Sequence, residues 1–164
     1  DLEKATPFLK CISYEVRGRR HEAIGFANSS GGYELRDNNT FKGTIAPKNI
    51  TPIFEDKAQP VCLFEGFMDF LSAVTLGLAT GDCLVLNSVA NVEKALKHLD
   101  GYERIDCYLD RDEAGRRAME ALRTRYGGKV TDRSGIYQGC KDLNEYLQQV
   151  SRKQQKNNNL KIKE

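Results

Sequence analysis

Acidic and polar side chains stand where apolar runs end. Glu65 follows Val61-Cys-Leu-Phe64, Asn87 and Ser88 follow Cys83-Leu-Val-Leu86, and Asp110 and Asp112 follow Ile105-Asp-Cys-Tyr-Leu109. Short continuous apolar runs of this kind are strands buried on both faces of a parallel sheet. All strands of such a sheet end on one edge, where open α/β folds place their ligand crevice. Three separated segments therefore deliver these residues to one rim. Asp69, in the first turn of the next helix, faces the same side four residues beyond Glu65. Asp142, in Cys140-Lys-Asp-Leu-Asn144, reaches that edge from a loop after a fourth strand. Crowded carboxylates repel, and some stay protonated unless a cation sits among them. Mg²⁺ prefers carboxylate and water oxygens, and Asp-x-Asp spacing aims two such oxygens at one ion or an ion pair. Paired ions neutralise a phosphoryl group and stabilise attacking and leaving oxygens. The chemistry this arrangement serves is magnesium-assisted phosphoryl transfer.

The segments between the runs read as helices. Phe67, Phe70, Leu71, Val74 and Leu78 mark one helical face, and Val92, Ala95, Leu96 and Leu99 mark another behind an Asn91 N-cap. Ala114, Ala118, Leu122 and Tyr126 line a third, ended by Gly127-Gly128. Lys129-Val-Thr131 starts a fourth strand, and Leu143, Tyr146, Leu147 and Val150 predict a last short helix. Strand and helix alternate, so the fold class is α/β: a central, mostly parallel sheet flanked by helices. A small β-rich subdomain precedes it. Its strands are Ile12–Val16 and Glu22–Phe26 around the basic turn Arg17–Arg20, then Tyr33–Leu35 and Phe41–Ala46. Pro47, Pro52 and Pro60 bracket a linker centred on Glu55-Asp-Lys57. The expected domains are 1–57, 58–149 and a polar, disordered tail over 150–164.

The total charge is +2, from 25 basic and 23 acidic side chains. This excludes a polycationic nucleic-acid binder but not a focused basic patch. From Val150 onward five bases face one acid, so the tail carries +4 and residues 1–149 carry −2. Five widely spaced cysteines without a CxxC pair suit a reduced, cytoplasmic protein and no zinc site. No apolar stretch is long enough to span a bilayer. The chain begins without Met at Asp1-Leu-Glu-Lys4, which suggests a fragment of something longer.

Plainer readings stand beside the chemical ones. Glu65 alone reads as a helix cap; with Asp110 and Asp112 on the same rim it reads as a metal ligand. Asp69 equally suits a helix dipole, Asp142 a cap, and Asn87 and Ser88 a chain turn rather than a phosphate contact. Arg17, Arg19, Arg20 and Lys42 fit phosphate contact or a solvated mixed-charge surface. Arg116, inside the helix after Asp-x-Asp, reaches nucleotide phosphates or simply solvates the helix. His21 and His98 read as surface residues.

Two stretches resemble the signatures of the Toprim domain: Glu65-Gly-Phe-Met-Asp69 and Asp110-Arg-Asp-Glu-Ala-Gly115-Arg-Arg-Ala118. They look closest to the bacterial DnaG-type primase branch, as does Lys141-Asp-Leu-Asn-Glu145. The resemblance covers about residues 58–148, and residues 12–55 look more distantly like the β-rich subdomain before Toprim in primases. It implies Glu65 as a metal-binding acid or base, Asp110 and Asp112 as Mg²⁺ (or Mn²⁺) ligands, and Asp69 and Asp142 as auxiliary ligands. Lys141, Asn87, Ser88 and Arg116 then stand near nucleotide. The implied activity is DNA-templated primer synthesis from NTPs on single-stranded DNA. Asn144 departs from the pattern, standing where primases often carry a second acid. Zinc-ribbon and helicase-binding regions are also missing from the sequence, so contact with a replicative helicase falls to parts outside it. Members of this branch carried on bacterial mobile elements often look like this.

Three other readings remain open. A Toprim nuclease uses the same metals to activate water, and a catalytically degenerate Toprim module binds nucleic acid without turnover. A receiver-like module also gathers acids at strand ends, but it needs its acid pair on the first strand, and here the pair follows the third.

Overall fold

The computed structural model describes residues 1–37, 41–54, 56–57 and 60–161. Glu55 of the expected linker, and Lys163 and Glu164 of the expected tail, lie outside the described residues.

After a short helix α1 (Leu2–Ala5), an antiparallel meander forms the first sheet: β1 (Leu9–Val16), β2 (Arg19–Ala27), β3 (Tyr33–Arg36) and β4 (Lys42–Ile45). Arg17 and Gly18 turn the β1–β2 hairpin with φ of 52° and 74°. Two consecutive left-handed residues match the right-handed twist of the flanking strands, and Gly18 adopts this at little cost.

The second sheet has the order β5-β7-β6-β8-β9, from β5 (Thr51–Ile53), β6 (Val61–Phe64), β7 (Cys83–Val85), β8 (Ile105–Tyr108) and β9 (Val130–Asp132). β6 to β9 are mutually parallel, and β5 joins β7 antiparallel at the edge. The apolar runs are thus strands of a mostly parallel sheet. Thr51-Pro52-Ile53 departs from its linker reading; an edge position lets Pro52 enter the ladder without a full set of hydrogen bonds.

Helices α2 (Phe67–Leu76), α3 (Val92–Leu99), α4 (Glu113–Tyr126) and α5 (Leu143–Lys161) cover the sheet. Val61 and Leu63 of β6 pack with α3 and α4 side chains; Cys62 and Phe64 pack with α2 and Leu143. Alternate residues of one strand thus feed two cores, which is why every β6 residue is buried. Phe26 of the first sheet stacks on Phe67 of α2 at 5.2 Å and joins the second core. Cys62, Cys83, Cys107 and Cys140 are buried as free thiols, acting as small apolar groups.

Two local expectations are corrected. Asn91 stands at the start of α3, but its side chain donates to the Leu86 carbonyl at 2.9 Å instead of capping the helix. Helix α5 runs on to Lys161, through most of the tail read as disordered. Arg152, Lys153, Gln154, Gln155 and Lys156 are good helix formers, and extending a nucleated helix adds one hydrogen bond per residue fixed. Among the described residues no helix is long and apolar enough to cross a membrane.

Candidate active site

The first acids stand side by side because the neighbouring strands β6 and β8 end together. Glu65 leaves β6, and its Oε2 accepts the Asp110 backbone N–H at 3.1 Å, joining two strand ends directly. Asp112 caps α4, its Oδ1 accepting the Gly115 N–H at 3.0 Å. The first turn of α4 rests on Asp110: a Cβ at Gly115 would lie 2.1 Å from the Asp110 carbonyl oxygen. Only glycine permits that approach, which accounts for the glycine three residues beyond Asp112.

The loop before α5 closes the rim. Arg111 donates its N–H to the Lys141 carbonyl at 2.8 Å, and Tyr137 donates its hydroxyl to the Leu109 carbonyl at 2.8 Å. The Lys141 ammonium then lies 2.9 Å from Asp110 Oδ2 and 3.4 Å from Asp112 Oδ2. Asp142 Oδ1 accepts the Glu145 N–H at 2.7 Å, and Glu145 Oε2 accepts the Lys141 N–H at 2.6 Å, a reciprocal cap on α5. Asp69, only 7% exposed, accepts the Asn144 N–H at 3.1 Å.

Crowding and burial raise the proton affinity of the acids. Burial, then the Asp110 charge, pushes Glu65 up to about 7. Burial, then the Asp142 charge, pushes Asp69 up to about 7. Burial also raises Asp110, against the pull of Lys141. Asp112 goes the other way, held below the usual range chiefly by the Gly115 N–H.

This donor set fits a hard divalent cation: it is all carboxylate, short of positive charge, and already draws one ammonium between two of its members. As the side chains stand, no three His, Cys, Asp or Glu among the described residues converge on one point. Lys141 takes up Asp110 and Asp112 instead.

The other sequence-predicted residues are placed differently. Asn87, at φ 60°, donates to the Asn49 carbonyl at 2.9 Å and Thr51 Oγ1 at 3.0 Å, tying β5 to the end of β7. Its Oδ1 is buried without a partner. Ser88 accepts the Ala90 N–H at 3.3 Å. Arg17, Arg19, Arg20 and Lys42 lie on the first sheet, where Arg20 Nε donates to Ser13 Oγ at 2.7 Å. Arg116 pairs with Glu113 at 3.1 Å, both exposed. It also lines a groove of about 790 Å³ beside Asp110, with Arg111, Met119, Arg123 and Ser134.

One base near the acids was not a sequence candidate. Arg36 lies over the Phe67 ring at 5.1 Å, where burial lowers its pKa and the Glu34 and Asp69 charges oppose that shift. Only the pairing of Phe26 with Glu34 and Ile24 with Arg36 brings it there, and the sequence shows it simply as one more base of the N-terminal region.

A family model described as Toprim-like matches residues 62–147. The chain belongs to the Toprim-like family. A second model, a domain of unknown function (DUF8464), matches residues 1–46. No curated protein matches the chain. Among solved structures, the primase fragment of the bacteriophage T7 primase-helicase protein matches with a TM-score of 0.63 at 21% identity, covering 94% of this chain and 67% of that one. A bacteriophage T7 lagging-strand DNA polymerase structure, interacting with primase domains of two gp4 subunits bound to an RNA/DNA hybrid and dTTP, matches with a TM-score of 0.59 at 20% identity, covering 87% of this chain and 78% of that one. The Toprim sheet and the meander before it therefore share the fold of a primase-type domain.

Proposed function

We propose that this Toprim chain is the core of a Mg²⁺-dependent, primase-like nucleotidyltransferase that builds primers on single-stranded DNA from NTPs. The observation that carries the reading is the direct junction of Glu65 with the Asp110 segment, in a fold shared with T7 primase domains. Glu65, Asp110 and Asp112 would hold Mg²⁺ or Mn²⁺, with Asp69 and Asp142 beside them, and the ion supplies charge neutralisation at the reacting phosphoryl group.

The chain's own residues do the positioning. No protein nucleophile is needed, because the attacking group is the growing 3′-hydroxyl; catalysis rests on alignment and electrostatics. Without the ion Glu65 is raised to about 7 and is partly protonated near neutral pH; a bound cation would draw it to the charged form. Arg111 and Arg116 flank Asp110 in the groove and suit triphosphate oxygens. The Arg116–Glu113 pair is exposed and therefore weakly held, so a phosphate can displace the carboxylate. Lys141, over Asp110 and Asp112, holds the carboxylates together before a divalent ion arrives.

The test is incubation with labelled single-stranded DNA and Mg²⁺ or Mn²⁺, with and without NTPs. Extension products appearing only with NTPs support synthesis. Shortening of the DNA without NTPs contradicts it and favours a nuclease.

A further inference from the structure

Strand register gathers the strand acids of the first sheet on one face. Lys10 pairs with Gly25, Ile12 with Ala23, Tyr14 with His21 and Val16 with Arg19. Residues opposite one another share a face, and successive residues alternate. The alternation continues through Leu35 opposite Gly25 and Gly43 opposite Leu35. One face therefore holds Tyr14, His21, Tyr33, Lys10 and Arg19, and no acid among its described strand residues. Glu15, Glu22 and Glu34 all fall on the opposite face, together with Arg20, Arg36 and Lys42, and that face packs through Phe26 and Arg36 against Phe67. A sequence count of N-terminal bases and acids mixes the two faces and conceals this separation.

This face also carries stacked rings, with the Asp37 carboxylate at its edge accepting the Phe41 N–H at 3.1 Å. Tyr14 lies 5.5 Å from His21 at an interplanar angle of 22°, and 5.8 Å from Phe41 at 17°. Phe41 is 39% exposed, and Val16, next along the face, is 48% exposed. Positive charge stands at both ends of β1: the Lys10 ammonium lies 5.9 Å from the Tyr33 ring centroid, and Arg19 follows the exposed turn at Arg17.

We propose that this face is a platform for single-stranded nucleic acid. Unpaired bases stack against the Tyr14, His21 and Phe41 rings, while Lys10, Arg17 and Arg19 meet the phosphates. Rings flanked by cations are what a single strand requires, because every nucleobase offers a π-face and the backbone a line of negative charge. A duplex buries its base faces and would use only the cations. The platform goes beyond the function proposed above and rests on that reading only for the use made of the strand.

The test is fluorescence anisotropy of a short labelled oligothymidylate with the full chain, in EDTA and without NTPs, so that the acidic rim plays no part. Tyr14→Leu and Phe41→Leu keep apolar bulk and are expected to weaken binding about tenfold each. Lys10→Gln and Arg19→Gln should each flatten the dependence of log affinity on log salt by about 0.7. The chain contains no tryptophan, so Tyr14→Trp introduces a single probe that keeps a stacking ring. Its fluorescence should be quenched by the oligonucleotide even if the leucine variants fail to fold. An unquenched probe, unchanged affinity in folded leucine variants, or equal affinity for a duplex of the same length overturns the assignment. Absence of primer synthesis with this binding intact counts against the proposed function alone.

Discussion

The Lys141 ammonium sits 2.9 Å from Oδ2 of Asp110, between two carboxylates that come from the far end of another loop. Its pKa is raised by Asp110 first and Asp112 after it, so it is charged at any working pH. An internal cation competes with an external one for the same oxygens. Lys141→Met should therefore tighten Mn²⁺ binding severalfold, read by the loss of free-ion signal in paramagnetic resonance. Unchanged Mn²⁺ affinity would show that the two cations do not share oxygens.

Gly115 is fixed by the same rim. Gly115→Ala puts a methyl 2.1 Å from the Asp110 carbonyl oxygen, and that contact is with backbone rather than a yielding side chain. The expected cost is about 1–3 kcal/mol of stability, from overpacking. Thermal melting and Mn²⁺ titration should both register it, because the displaced group is Asp110 itself.

The proton on Asp69 links the rim to stability. Its carboxyl is pushed up to about 7 in the folded chain by burial and the Asp142 charge, against roughly 4 for an unfolded aspartate. The stability this lends is complete below about pH 4 and is lost as pH rises through about 7. Asp69→Asn keeps an acceptor for the Asn144 N–H. In EDTA it should match the wild type near pH 4 and exceed it by on the order of 3 kcal/mol at pH 8. Denaturant titrations at the two pH values check this.

Asn87 separates a structural role from a phosphate contact. Asn87→Gly suits φ 60° but removes the bonds to Asn49 and Thr51. It should cost about 1–2 kcal/mol and leave NTP affinity, measured by calorimetry, unchanged. A large loss of NTP affinity in a stable variant would restore the phosphate role.

The rim was legible in the sequence because apolar runs of four or five residues end abruptly at Glu65 and Asp110, and parallel strands must share an edge. The partner of Asp110 was not. Lys141 reaches it only because Arg111 grips the Lys141 carbonyl, a long-range backbone bond with no periodicity to announce it. Strand β5 was hidden for a related reason: three residues containing Pro52 show no alternation and acquire their state from β7. The tail misled through composition, since polar residues that bury nothing still extend a helix already begun at Leu143. The modest net charge misled likewise, because register, not number, gathers the strand acids of the first sheet on one face and leaves Lys10 and Arg19 on the other.

The central claim is that Asp110 and Asp112 hold a divalent ion at the junction with Glu65. Mn²⁺ titration read by paramagnetic broadening tests it most directly, on the wild type against the Asp110→Ala/Asp112→Ala double variant. Saturable broadening centred on the rim in the wild type, lost in the double variant, is the predicted result. Equal Mn²⁺ binding by both proteins would contradict the claim and remove the basis for magnesium-dependent nucleotidyl transfer.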